Sequence, residues 1–320
     1  MSALERILVV LEQEPWHNAA LRRGTELARR SGAALHLCVF DHEPMVEAYG
    51  DDLESGIRRA AIGQFIDSRL RRLAAEAAAL ADSGLRVDCD VLWAPRPHQA
   101  VIARCLGLKP DLVIVSAGSA AEALRPLAWK LLRLIPADLM LVRDESPLLP
   151  RRMVAAVDVC NSRLHPTPLN DALVGSALRL GRYAEAELHL AHVVPFIPAG
   201  DLVAQRLRRD YELRIAADLE SFHGFAAQRG VPPDRLHTLS GDPASGLAAF
   251  IARSGADLVA LGSIYRSAWD RFMMGSTAEG LIAGLRCDVL MVKEPEFGLA
   301  LARHADLARW QRALEWDRQA

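Results

Sequence analysis

Lysine is scarce in this chain: only Lys109, Lys130 and Lys293 occur among 320 residues. Basic charge is carried almost wholly by arginine, and the formal net charge is -2. No global basic field exists to hold nucleic acid or an anionic membrane. Short basic clusters such as Arg69–Arg71–Arg72 and Arg206–Arg208–Arg209 read as solvated helix faces. Cysteine is sparse and odd in number: Cys38, Cys89, Cys105, Cys160 and Cys287, with no Cys-x-x-Cys. That excludes a disulfide framework or thiolate zinc site and fits a reducing, cytoplasmic setting. No apolar run approaches the ~20 residues of a membrane span. The N-terminus enters a strand-like run at Arg6 without the basic region and cleavage site of a secretory leader, and none is expected. Gly-x-x-x-x-Gly-Lys-Ser/Thr is absent, as is Gly-x-Ser-x-Gly, so neither a Walker phosphate loop nor a hydrolase elbow is present.

What the chain does contain is a repeat of itself. Arg6-Ile-Leu-Val-Val-Leu-Glu12 returns as Arg152-Met-Val-Ala-Ala-Val-Asp158. Leu35-His-Leu-Cys-Val-Phe40 returns as Leu188-His-Leu-Ala-His-Val193. Asp111-Leu-Val-Ile-Val115 and Asp138-Leu-Met-Leu-Val142 return as Asp257-Leu-Val-Ala-Leu261 and Asp288-Val-Leu-Met-Val292. The matches keep their order and nearly their offset. Pro147 and Pro150 mark the junction. The division expected is residues 1–146, residues 151–295 and an extension over residues 296–320 in which Leu299, Leu307, Trp310 and Leu314 suit one amphipathic helix.

The repeated runs are short, continuous and rich in Val, Leu and Ile, the pattern of strands buried on both faces of a parallel sheet. Helical stripes lie between them. Ile62, Ile66, Leu70, Leu73, Ala77 and Leu80 trace a long helix ended by Gly84, and Leu207, Tyr211, Ile215, Leu219 and Phe222 trace its counterpart ended by Gly230. Leu169, Leu173, Ala177 and Leu180 mark a shorter helix stopped by Gly181. Each half therefore reads as five strands alternating with helices. The fold class expected is α/β, two tandem doubly wound five-stranded parallel sheets of Rossmann-like form.

Ligands of such sheets bind beyond the carboxyl ends of the strands, where the strand order switches. In the second half those ends carry Asp158, then Gly262-Ser263-Ile-Tyr265-Arg266, then Gly275-Ser276-Thr277-Ala-Glu279. Ser276 and Glu279 form a capping-box pattern opening a helix whose free amides suit a phosphate. A plain helix cap explains the same residues.

The stretch Gly262-x-x-Tyr265, nine residues, Gly275-Ser276, following a strand-end Asp158, resembles the universal stress protein family. ATP-binding members of that family carry Gly-x-x-Gly, nine residues, Gly-Ser/Thr; here Tyr265 stands at the second glycine. The likeness covers residues 4–294, and the fused pair is most similar to the tandem E branch. The resemblance implies a strand order 3-2-1-4-5 in each half and a stress-response role that is nucleotide-responsive and non-enzymatic. By matching positions, Asp158 would meet adenine and Val193 would offer backbone hydrogen bonds to the base. Gly262, Ser263, Gly275, Ser276 and Thr277 would meet ribose and phosphates, with Arg266 the cation placed to reach them. The ligand implied is ATP or AMP, with magnesium accompanying ATP. The resemblance also implies that the halves pair within one chain, with a further homodimer open.

The first half departs further. Glu12 stands at the aspartate position, and Arg125-Pro126 stands where the second half has Gly275-Ser276. Proline offers no amide to a phosphate, so no nucleotide is expected there. Two alternatives stay open: a slow ATPase in the second half, and a sensor of an apolar molecule or a metal in the first. The apolar reading rests on Ile62, Phe65, Ile66 and Leu70; the metal reading rests on His17, His42 and His98 with Asp41 or Glu43. His36 and His189 occupy equivalent strand positions and read as part of the shared fold.

Overall fold

The computed structural model describes residues 3–12, 16, 18–48, 55–159, 167–194, 202–263, 276–294 and 297. The chain divides between Leu149 and Pro150 into two compact units. The first half runs β1 (Arg6–Leu11), α1 (Ala19–Ser31), β2 (Ala34–Asp41), α2 (Pro44–Ala48), α3 (Ser55–Asp82), β3 (Val87–Trp93), α4 (Pro97–Leu108), β4 (Leu112–Gly118), α5 (Pro126–Leu134) and β5 (Asp138–Arg143). The second runs β6 (Arg152–Ala156), α6 (Thr167–Ala184), β7 (Glu187–Val194), α7 (Leu202–Gln228), a 3-10 turn, β8 (Leu236–Ser240), α8 (Pro243–Ser254), β9 (Leu258–Ser263), α9 (Ser276–Gly284) and β10 (Asp288–Lys293).

Within the first half the strands are ordered β3-β2-β1-β4-β5, all parallel. Within the second they are ordered β8-β7-β6-β9-β10, again parallel. This is the 3-2-1-4-5 order, found in both halves. The central strands are buried nearly end to end, as continuous apolar runs demand of a sheet covered on both faces. One device recurs ahead of the fourth strand of each half. The Asp111 carboxylate accepts from the Glu5 and Arg6 amides at 2.8 and 2.9 Å. The Asp257 carboxylate accepts from the Arg151 and Arg152 amides at 2.8 and 3.0 Å. Each aspartate bolts the entry of the fourth strand to the entry of the first, so the repeated Asp is part of the fold.

Helix ends follow local chemistry. The Asn18 side chain accepts from the Leu21 amide at 3.0 Å and starts α1, and Gly32 in the left-handed region ends it. The long helix α3 buries Ile62, Leu73 and Ala77 from the expected stripe. In α7 Phe222 is buried, with Ile215 and Leu219 half-buried; Leu207 and Tyr211 have side chains outside the described residues. The expected stop of α6 at Gly181 is corrected: the helix continues to Ala184, and Glu185 takes the left-handed cap at φ 56°. At Gly181 a Cβ would make ordinary contacts, 3.7 Å from the Met153 sulfur and 3.5 Å from the Ala186 carbonyl, so neither the helix end nor its packing calls for glycine there. Of residues 296–320 only Phe297 is described, and it is buried; the amphipathic helix expected there lies outside the described residues.

Candidate functional site

The β6–β9 pairing puts the first and fourth strands of the second half side by side, so Asp158 and Gly262 leave neighbouring strand ends. The first turn of α6 fastens both. The Asn170 side chain accepts from the Asp158 amide at 3.3 Å and donates to the Asp158 carbonyl at 2.7 Å. Its neighbour Leu169 lies against Gly262, where an added Cβ would come within 3.0 Å of the leucine. Two successive residues of one helix thus hold the strand-end acid and the strand-end glycine. A side chain at position 262 would press on Leu169, which would have to shift by a few tenths of an ångström to admit it.

His192 supports the same corner. It is buried, and its Nδ1 donates to the Val157 carbonyl at 3.1 Å, which fixes the ring's proton on that nitrogen. The Val157 amide donates to the Ala191 carbonyl at 3.0 Å, carrying β6 pairing one residue past its regular end. Among the described residues the β6 ladder ends at Ala156↔Ala191, whereas the β8 ladder continues to Val194↔Ser240. Half-buried Val193 therefore keeps its β6 side toward the crevice.

Ser263 ends β9 and is buried. The buried Lys293, its cross-strand partner, donates from Nζ to the Ser263 Oγ at 3.3 Å. Sequence distance gives no lysine near this loop; the sheet puts one beside it. Helix α9 begins at Ser276, within a residue of the expected cap. The side chains of Ser276 and Thr277, and all of Tyr265, Arg266 and Gly275, lie outside the described residues.

The matching corner of the first half is filled by its own side chains. Glu12 faces Arg125 across 3.6 Å. Burial pushes the Glu12 carboxyl up, with the Arg125 charge and hydrogen bond opposing. The Arg125 guanidinium also approaches Gly118, whose φ is 74°. Arg143 donates to the Ala117 and Ser119 carbonyls at 3.2 and 3.0 Å, and Glu145 accepts from the Ala120 amide at 2.9 Å, so the loop after β4 is tied to itself. At the end of β2, Asp41 accepts from Arg69 at 2.9 Å, and Arg69 lies 3.7 Å over the Phe65 ring. Phe65 meets Trp93 edge to face at 5.2 Å. Of the apolar residues singled out on α3, Ile62 is buried and Phe65, Ile66 and Leu70 are half-buried, and the Asp41 carboxylate is engaged by an arginine. Among the described residues no three His, Cys, Asp or Glu side chains stand together as a metal group; His17 lies outside them. His36 sits 3.5 Å from Asp88, and His189 bonds His237 at 3.0 Å.

No helix among the described residues is long and apolar enough to cross a membrane. Residues 150–293 match the Universal stress protein family. Universal stress protein E of Escherichia coli (strain K12) is 25% identical over 316 residues, spanning 93% of this chain and 96% of that one. Two solved structures share the fold along nearly the whole chain. One is a functionally unknown protein from Pseudomonas aeruginosa PAO1, with a TM-score of 0.75, 23% identity and coverage of 97% and 98%. The other is a putative universal stress protein from Pseudomonas aeruginosa UCBPP-PA14, with a TM-score of 0.73, 23% identity and coverage of 94% and 97%. The second half thus carries a match to the Universal stress protein family, and the whole chain, with both halves built on one strand order, is similar along nearly its full length to a universal stress protein E.

Proposed function

We propose that the second half binds an adenine nucleotide, ATP or AMP, at the carboxyl ends of β6, β7 and β9, and that the chain is a cytoplasmic, nucleotide-responsive stress protein which binds its ligand without turning it over. The observation that carries this reading is the Leu169–Asn170 clamp, which holds Asp158 and Gly262 together at the switch point of the sheet. With its main chain fixed at both amide and carbonyl, Asp158 is a preorganised acceptor for the base. Val193 supplies backbone groups, Gly262 and Ser263 border the ribose, and Gly275, Ser276 and Thr277 meet the phosphates with Arg266, magnesium accompanying ATP. Phosphoryl transfer depends on several placed charges and metal ions, and among the described residues Lys293 is the lysine at this corner. The first half takes no nucleotide, because Arg125 and Glu12 already occupy the equivalent corner. Equilibrium dialysis of the intact chain against ATP and AMP tests the reading. Binding is expected, and Asp158→Ala weakens it about 10- to 100-fold, the worth of one charge-assisted hydrogen bond of ~1.5–3 kcal/mol. Retention of neither nucleotide at millimolar concentration would sink it.

A further inference from the structure

The fifth strands of the two halves end on different buried cations, Arg143 and Lys293. In the first half the guanidinium is spent on its own loop. Arg143 Nη1 reaches the carbonyls of Ala117, Ser119 and Glu122 at 3.2, 3.0 and 3.5 Å. The β4–β5 register slips between Ser116 and Gly118, and the chain turns back over the strand end. In the second half the β9–β10 register runs unbroken to Ser263↔Lys293. The lysine ammonium meets the Ser263 hydroxyl at 3.3 Å. An ammonium only donates, so the Ser263 oxygen accepts and its own proton is left to donate onward.

Burying an ammonium is costly, and a strand-end crevice with low-dielectric walls strengthens the field of any charge placed there. The chain is otherwise arginine-rich. Lys109 is the left-handed C-cap residue of α4, before β4, and Lys130 lies within α5. Only Lys293 brings the compact charge of a lysine to a strand end. We propose that Lys293 is the positioning residue that makes the second half's crevice prefer a phosphorylated ligand, orienting the Ser263 hydroxyl and contributing positive potential where the phosphates sit. This rests on the nucleotide reading above and adds to it the residue that distinguishes ATP from adenosine.

The test measures ATP and adenosine affinity by calorimetry on the full chain, for the wild type, Lys293→Met, Lys293→Arg and Ser263→Ala. Lys293→Met weakens ATP at least ~10-fold while adenosine stays within about 2-fold. Lys293→Arg restores most ATP affinity, since charge is kept. Ser263→Ala, which removes one hydroxyl and leaves the lysine in place, loses about 3- to 10-fold for ATP and a smaller factor for adenosine, whose ribose the residue borders. It keeps the proposal testable where Lys293→Met fails to fold. Unchanged ATP affinity in Lys293→Met, or equal losses for ATP and adenosine in either variant, overturns the role of Lys293 and leaves the nucleotide site standing. A wild type that binds neither ligand overturns the nucleotide reading, and this inference with it.

Discussion

One substitution, glycine to alanine, should act with opposite sign in the helices that follow β1 and β6. In a helix interior, alanine is favoured over glycine by ~1 kcal/mol, mostly through backbone entropy. Gly175 in α6 shows that term alone, because a Cβ there meets nothing within 4 Å. Gly175→Ala should therefore stabilise by up to about 1 kcal/mol. Gly24 in α1 lies against the sheet. A Cβ there would stand 2.4 Å from Val9 Cγ2, 3.4 Å from Leu35 Cδ1 and 3.6 Å from Ile114 Cδ1. Those three side chains are fully buried, and valine is stiff at χ1, so the methyl has little room to yield. Overpacking of this kind costs ~1–3 kcal/mol, and a separation of 2.4 Å places it at the upper end. Less the helix-propensity gain, Gly24→Ala should destabilise by about 2 kcal/mol. Urea unfolding followed by circular dichroism reads both variants, with Trp93 and Trp129 fluorescence reporting on the first half. Adding Val9→Ala to Gly24→Ala removes the colliding methyl, and a double-mutant cycle should show a favourable coupling of ~1 kcal/mol or more. If Gly24→Ala stabilised the protein as Gly175→Ala does, the close seating of α1 on β1 would be wrong.

Other outcomes follow from single residues. Lys109 and Glu185 hold left-handed caps at φ 50° and 56° without being glycine, so Lys109→Gly and Glu185→Gly should each stabilise by ~0.5–1 kcal/mol in the same urea assay. Burial lowers the pKa of His36, His98, His189 and His237, with the His189 charge acting further on His237. A depressed folded-state histidine means the unfolded chain binds more protons below its pKa of ~6.5, so stability is full above that pH and falls as pH drops toward the folded values. Melting temperature should therefore fall between pH 7.5 and about 5.5, and less steeply in His237→Gln; a flat profile would contradict the packing of these rings. Asn170→Ala, which touches no proposed ligand atom, should weaken ATP binding about 3- to 10-fold by releasing the Asp158 main chain. Unchanged affinity would mean the clamp is structural only.

The strands were legible because a doubly covered parallel sheet writes itself as short apolar runs, and because the runs recur in both halves; their order came from the family resemblance. The α3 stripe was legible from its period. The end of α6 was not: Gly181 resembles a helix stop, but the helix runs through it and the left-handed cap falls on Glu185. The family resemblance implied a phosphate-loop role for Gly262 and could not reveal Leu169 resting on it. Asn170 and Lys293 were invisible for one reason. Their partners, Asp158 and Ser263, stand 12 and 30 residues away on other elements, and no local pattern marks a contact made by tertiary fold. Glu12 and Arg125 show the converse. Each was read as a departure from a family pattern, and only the structure shows that the two departures meet.

The central claim is that one half of a duplicated chain holds the nucleotide. Isothermal titration of the intact protein with ATP, beside Asp158→Ala and Glu12→Ala, tests it most directly. The account predicts one site per chain in the wild type, the same site in Glu12→Ala, and a loss of about 10-fold or more in Asp158→Ala. A wild type that binds no ATP, or binding that survives Asp158→Ala and disappears in Glu12→Ala, would contradict it.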